Sequence, residues 1–445
     1  MPRKSATADV PLPTSLDRKR IAAFRRALLR WYQHEQRHLP WRSQPPEQPP
    51  SDNPATQSWP SPVTPYHTLV SEAMLQQTQV ATVIAYFLRF IGELPDVQAL
   101  AAADEQQVLR LWQGLGYYRR ARNLHAAAKM IVTQFDGQVP ASVEQLLRLP
   151  GIGRYTAGAI ASIAYDTPAP IVDGNVARVL ARVLNITEPV DAPETLKQLW
   201  ASAQALVPKP RKADLTVAKI PGAGALPGAG DFNQAMMELG ALVCTPRNPS
   251  CSKCPLRNQC QAKVHGTIND LPNKRPKKKP QEVTHVIIAA RRNGKVLFEQ
   301  RPATGLWSNM WQMPTMENIA SSVSRSAVNR SRNGNAYAVQ TETTNEHPRE
   351  DAPEHVPAPE AANVSEVAIT TWFAECFGLQ LGNIKVCHDF IHQTTHRTIM
   401  FVVVTAEVES GRLKPKTGQW RSLTNIDDLP LSNPQRKTVQ LVRMT

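Results

Sequence analysis

Glu72 stands inside the apolar helical run Leu69-Val70-Ser71-Glu72-Ala73-Met74-Leu75, where a carboxylate is out of place unless it is paired or working. Burial raises the pKa of such a group and keeps it protonated near neutral pH, which makes it a proton donor. Asp173 follows the strand-like Pro170-Ile171-Val172 and precedes Gly174-Asn175-Val176. It either caps a helix over 176–184 or keeps a negative charge that faces a developing cation. Cys244, Cys251, Cys254 and Cys260 are separated by six, two and five residues. Thiolates this close converge on one soft centre, and four of them suit a cubane [4Fe-4S] cluster, with zinc as the alternative.

A fourth feature is Leu149-Pro150-Gly151-Ile152-Gly153-Arg154-Tyr155-Thr156-Ala157, set between two predicted helices. Gly151 and Gly153 let the backbone turn tightly, and the helix that follows offers free N–H groups and the positive end of its dipole. A phosphate fits there; a plain helix-turn-helix corner fits equally.

The elements that must hold these groups fall into two sets. Ile21, Phe24, Leu28 and Trp31 or Tyr32 recur at helical spacing, as do the apolar residues of 69–90 and 108–112. Ser142 and Gln145 predict a capping box that opens a helix ending at Pro150. From Glu282 the pattern changes. His285 to Ala290, Lys295 to Gln300 and Ile399 to Val408 are β-branched or alternating, so the first domain is expected to be all-α and the second mixed α and β.

Domain limits follow from composition. Residues 1–19 are expected to be a disordered N-terminus, 20–264 the helical domain, 265–281 a basic linker and 282–445 the second domain. Pro-, Ser-, Gln- or Gly-rich stretches at 43–64 and 208–230 read as surface insertions, and 318–365 as a disordered insertion. The 445 residues carry a formal net charge of +14, which favours a polyanionic partner, most simply nucleic acid. No run of eighteen apolar residues and no signal-peptide core is present, so no membrane partner and an intracellular setting, a bacterial cytoplasm, are expected. Six cysteines with four clustered fit a reducing compartment.

Taken together, Ser71-Glu72-Ala73-Met74-Leu75-Gln76-Gln77-Thr78-Gln79-Val80, Gly114-Leu115-Gly116-Tyr117-Tyr118, the glycine hairpin, Val172-Asp173-Gly174-Asn175, Phe232 to Gly240 and the four-cysteine loop resemble adenine DNA glycosylases of the MutY type. The resemblance spans nearly all of 20–264. It implies a helix-hairpin-helix glycosylase domain whose four cysteines hold a [4Fe-4S] cluster. It further implies a monomer acting on double-stranded DNA that contains adenine mispaired with 8-oxoguanine or guanine.

Residue by residue, the resemblance implies that Glu72 protonates the flipped adenine at N7 and that Asp173, ionised throughout, stabilises the oxocarbenium-like sugar. Tyr155 and Asn175 support them. Gln77 and Tyr117 wedge into the duplex, Glu238 contacts the adenine edge, and Arg37, Trp41 and Arg42 line the adenine pocket. In the similar endonuclease III type, a lysine after the hairpin forms a Schiff base and nicks the strand; Tyr155 takes that place here, so a monofunctional enzyme is expected. Arg154 cannot substitute, because its guanidinium stays protonated.

Arg301 to Pro314 resembles part of the Nudix-like domain such enzymes carry for 8-oxoguanine recognition. No G-x5-E-x7-R-E pattern follows it, so binding rather than pyrophosphate hydrolysis is expected. His392 to His396 falls at the recognition loop, where Thr395 and His396 match the polar pair and Thr394 stands in place of the usual phenylalanine.

Overall fold

A computed structural model describes residues 16–42, 62–209, 228–276, 279–319 and 365–444. The chain divides into two compact units, 1–277 and 278–445. Most of the expected insertions and the expected disordered stretches lie outside the described residues. Their edges differ, however. Leu16 is buried and α1 (Arg18–Glu35) begins before residue 20. Thr64, placed in an insertion, caps α2 (Pro65–Leu75), and residues 229 and 230, placed in another, open α11 (Ala229–Leu242). Within the expected linker, Leu271 is buried and β1 (Gln281–Arg292) starts.

The first unit is helical throughout its described residues. Asp17 accepts from the Arg20 N–H at 2.7 Å to start α1, which buries Phe24, Leu28 and Tyr32 on one stripe. Thr64 and His67 form a reciprocal cap at the start of α2. The apolar run that follows is interrupted at 76–79, so it yields α2 and α3 (Val80–Glu93) rather than one helix. Then come α4 (Val97–Ala102), α5 (Glu105–Trp112), α6 (Arg119–Gln134) and α7 (Val143–Leu146).

Ser142 makes no side-chain cap to α7, which is a single turn, so the expected capping box does not form. Gly151 then takes φ +77°, and a Cβ there would meet Asn123 Cβ at 2.6 Å, so the turn into α8 (Arg154–Tyr165) needs glycine. The segment 170–172 forms no strand. It leads into α9 (Gly174–Leu184), followed by α10 (Pro193–Leu206), α11 and the short α12 (Gln261–His265). One core joins Phe24 and Leu28 to Leu180, Leu199, Phe232 and Leu239.

The second unit is a mixed sheet covered by a helix on each face. Its strands β1, β2 (Lys295–Gln300), β3 (Trp311–Gln312), β4 (Thr315–Ile319), β5 (Leu379–Gln393), β6 (Arg397–Gly411) and β7 (Gln419–Arg421) run in the order β3-β2-β1-β6-β5, with β4 on β1 and β7 on β2. β1 and β6 pair in parallel from Gln281 with Arg397 to Arg291 with Glu407. The pleat of β1 sends Val286, Ile288 and Ala290 to α13 (Glu366–Phe377), and Ile287 and Ala289 to the core that includes Val439 and Val442 of α14 (Asn433–Arg443). Thr395 and His396 fall in the turn between β5 and β6. Among the described residues no helix is long and apolar enough to cross a membrane.

Candidate active site and cysteine loop

A cavity of about 180 Å³ opens between α2, α8, α9 and α11. Eight of the residues singled out above line it: Glu72, Asp173, Tyr155, Asn175, Arg37, Trp41, Arg42 and Glu238. An apolar cavity of roughly 150 Å³ suffices for benzene, so a planar heterocycle is the size of guest this one admits.

Glu72 arrives on the buried face of α2. Burial pushes its carboxyl up to about 7, helped by the negative charge of Asp173 and opposed by the Tyr155 hydroxyl and the Arg42 charge. The Tyr155 hydroxyl sits between partners: it is near enough to Glu72 to hydrogen-bond, and it donates to Met237 Sδ at 3.1 Å. Burial and the two neighbouring carboxylates push Tyr155 well above the ordinary phenol range. It is therefore a neutral donor.

Asp173 caps α9, accepting from the Val176 N–H at 2.7 Å, and its second oxygen accepts from Asn175 Nδ2 at 3.2 Å. Capping and facing the cavity are thus compatible rather than rival roles. Burial pushes the Asp173 carboxyl above the usual value, although Val176 N–H, Asn175 and the Arg178 charge oppose the shift. The two acids still differ in kind, because several donors and a helix N-terminus support the charge of Asp173, whereas a single hydroxyl supports that of Glu72.

Glu238 is held by two arginines. Arg37 donates to it from its backbone N–H and its guanidinium, at 2.8–2.9 Å, and Arg42 donates from Nη2 at 3.0 Å. Burial alone would raise this carboxyl, but those donors and the Arg42 charge hold it at about 2. Both of its oxygens accept from these arginines, and the residue lines the cavity with them.

Gln77, Tyr117, Gly151 and Gly153 do not line the cavity. Gln77 and Tyr117 occupy tight turns at φ +60° and +49°, and Tyr117 is 50% exposed. Thr395 and His396 belong to the second unit.

The four cysteines gather at a separate cavity of about 30 Å³, lined also by Val179, Leu239 and Arg182. Burial pushes the Cys254 thiol up to about 12, with the other three cysteines adding to the shift. Among the described residues no three His, Cys, Asp or Glu side chains converge for a single metal ion. A cubane of four irons asks its thiolates to stand further apart than one ion does, and the soft, all-sulfur donor set suits it.

Sequence reading missed the link between the two sites. Arg178 donates to the Cys244 carbonyl at 2.7 Å, to the Gly240 carbonyl at 2.8 Å and to Asn175 Oδ1 at 2.7 Å. Arg182, one turn on, donates to Cys244 Sγ at 3.4 Å and to the Thr245 carbonyl at 2.7 Å. Both lie in the apolar stretch Val176 to Val183, where buried arginines are as anomalous as Glu72, so a signal existed. Arg178→Gln is expected to unhook Asn175 from the cysteine loop. Because a buried charge network is broken, melting should fall by about 2 kcal/mol or more of stability. Calorimetry checks this, and an unchanged melting curve contradicts it.

Residues 70–204 match the HhH-GPD superfamily base excision DNA repair protein family, and residues 285–441 match the NUDIX domain. The chain is 37% identical over 343 residues to the adenine DNA glycosylase of Homo sapiens, which covers 66% of this chain and 58% of that one. It is 33% identical over 298 residues to the adenine DNA glycosylase of Buchnera aphidicola subsp. Schizaphis graminum, covering 67% and 76%. This chain spans about three fifths of the length of its mammalian relatives. A solved thermostable thymine-DNA glycosylase is 23% identical and covers 56% of this chain and 98% of its own, at a TM-score of 0.42.

Proposed function

The chain belongs to the adenine DNA glycosylase family, and from that membership we propose that it hydrolyses the N-glycosidic bond of adenine mispaired with 8-oxoguanine or guanine in duplex DNA, leaving an abasic site. What carries the reading is one observation: Glu72, pushed up to about 7, and Asp173, held by helix donors, line the same cavity.

Adenine inside a stacked duplex is out of reach of both carboxyls, so the nucleotide must rotate out. In the cavity Glu72 gives its proton to N7, and the glycosidic bond pair leaves with a neutral base. The positive charge that develops on the sugar faces Asp173, whose carboxylate stabilises it until water adds at C1′ and gives its proton to the Glu72 carboxylate left by the first step. Asn175 keeps one Asp173 oxygen in place, Tyr155 steadies Glu72, and Arg37, Arg42 and Trp41 form the wall against the base. Gln77 and Tyr117 fill the gap left in the duplex, and Gly151 and Gly153 present backbone N–H groups to phosphate. The protein acts as a monomer, and Thr395 and His396 contact the oxidised guanine.

Cys244, Cys251, Cys254 and Cys260 would hold a [4Fe-4S] cluster. Its role there would be structural, tying the four thiolates of this loop together.

Tyr155 stands where a Schiff-base lysine would be needed, so strand nicking is excluded from the reaction. An A:8-oxoguanine duplex incubated with the protein is expected to break at the adenine only after alkali. Breakage without alkali contradicts the assignment of Tyr155, and an intact duplex after alkali contradicts the whole reading.

A further inference from the structure

Arg120, in the first turn of α6, ties together three segments. Its Nη1 donates to the carbonyls of Ala73, Met74 and Gln76, at 3.1, 2.8 and 2.5 Å. Its Nη2 donates to Thr78 Oγ1 at 3.2 Å and to the carbonyls of Leu115 and Gly116 at 3.3 and 3.1 Å. The guanidinium also lies 5.4 Å from the Trp112 ring centroid and 5.5 Å from that of Tyr117.

Each contact answers a specific need. The last carbonyls of α2 lack intrahelical partners, and a cation at a helix C-terminus also suits the dipole. Gln77 and Tyr117 hold positive φ without being glycine, a conformation that persists only where surroundings over-determine it. One planar fork supplies that constraint to both turns at once, which a single ammonium nitrogen cannot. Burial lowers Arg120 to about 10, so it stays charged at neutral pH. Among the described residues no carboxylate pairs with it, and its charge is spent on carbonyls and rings.

We propose that Arg120 is the positioning residue that fixes the Gln77 and Tyr117 turns against each other and against the helix that carries Glu72. The inference rests on the reading of Gln77 and Tyr117 as the duplex wedge. Arg120 touches neither base nor sugar; it sets the spacing at which the two wedges enter DNA.

The loop has other supports, which let a variant fold. Trp112 Nε1 donates to the Gly116 carbonyl at 3.2 Å and Tyr86 donates to the Gln113 carbonyl at 3.0 Å. Arg120→Lys keeps the charge but loses the fork. The test uses the full chain and a duplex with 2-aminopurine opposite 8-oxoguanine, whose fluorescence rises when the base leaves the stack, together with single-turnover release of adenine from the matching A duplex.

Arg120→Lys is expected to cut both signals about tenfold, while affinity for unmodified duplex stays within about twofold. Added to Gln77→Ala/Tyr117→Ala, it should cause no further loss, because residues acting through one another are not additive. Wild-type extrusion by Arg120→Lys, a full extra loss in the triple variant, or equal loss of unmodified-duplex binding each overturns the proposal. If Gln77→Ala/Tyr117→Ala extrudes normally, the wedge reading itself falls and takes the proposal with it.

Discussion

Glu72→Gln is expected to slow single-turnover adenine release by about 10²- to 10⁴-fold, the usual worth of a general acid. The substitution keeps the size and the neutral form that Glu72, at about 7, takes up about half the time at neutral pH, so folding and duplex affinity should change little. Only the transferable proton is lost. The pH profile gives a second check. With the carboxyl at about 7, the acid form predominates below that value and is depleted about tenfold per pH unit above it. Release by the unsubstituted chain should therefore hold steady on the acid side and fall as pH rises through 7, while the variant loses this dependence. A variant that releases adenine at the normal rate would remove Glu72 from the chemistry.

Asp173→Asn is expected to cost about 10²- to 10³-fold in the same assay, as removal of one electrostatic stabiliser does. Asn is as good an N-cap as Asp and can accept from the Val176 N–H, so α9 should start where it does now. Circular dichroism and melting should be near normal. The substitution has a second effect on its neighbour. Asp173 helps hold Glu72 up, so removing the charge should move the falling limb of the pH profile to lower pH. A limb that moves upward, or stays put with full activity, would show that the two carboxyls do not share a site.

The two acids were readable in the sequence for different reasons. Glu72 interrupts an apolar run, and burial makes such an interruption meaningful. Asp173 precedes a helix start, a local signal that remains valid whether or not the group also faces a cavity. Glu238 was less legible, because its partners lie about two hundred positions away and nothing local announces that its oxygens are taken. Arg120 was invisible for a deeper reason: carbonyls are its main acceptors, and every residue owns one, so no side-chain pattern records them. The strand-like 170–172 failed because β propensity needs a neighbouring strand to become a ladder. In the second unit the β-branched, nearly continuous apolar run 285–290 was sufficient, since a strand with a helix on each face is buried on both sides.

Gln77 and Tyr117 hold left-handed backbone, at on the order of 1–2 kcal/mol each for a non-glycine residue. The Arg120 hydrogen bonds that flank both turns offset that cost within the fold. A scanning molecule that had to reshape these turns at each base pair would be slowed by its own rearrangement; one that carries them ready-made can probe stacking as it travels, and yields only where the helix is weak.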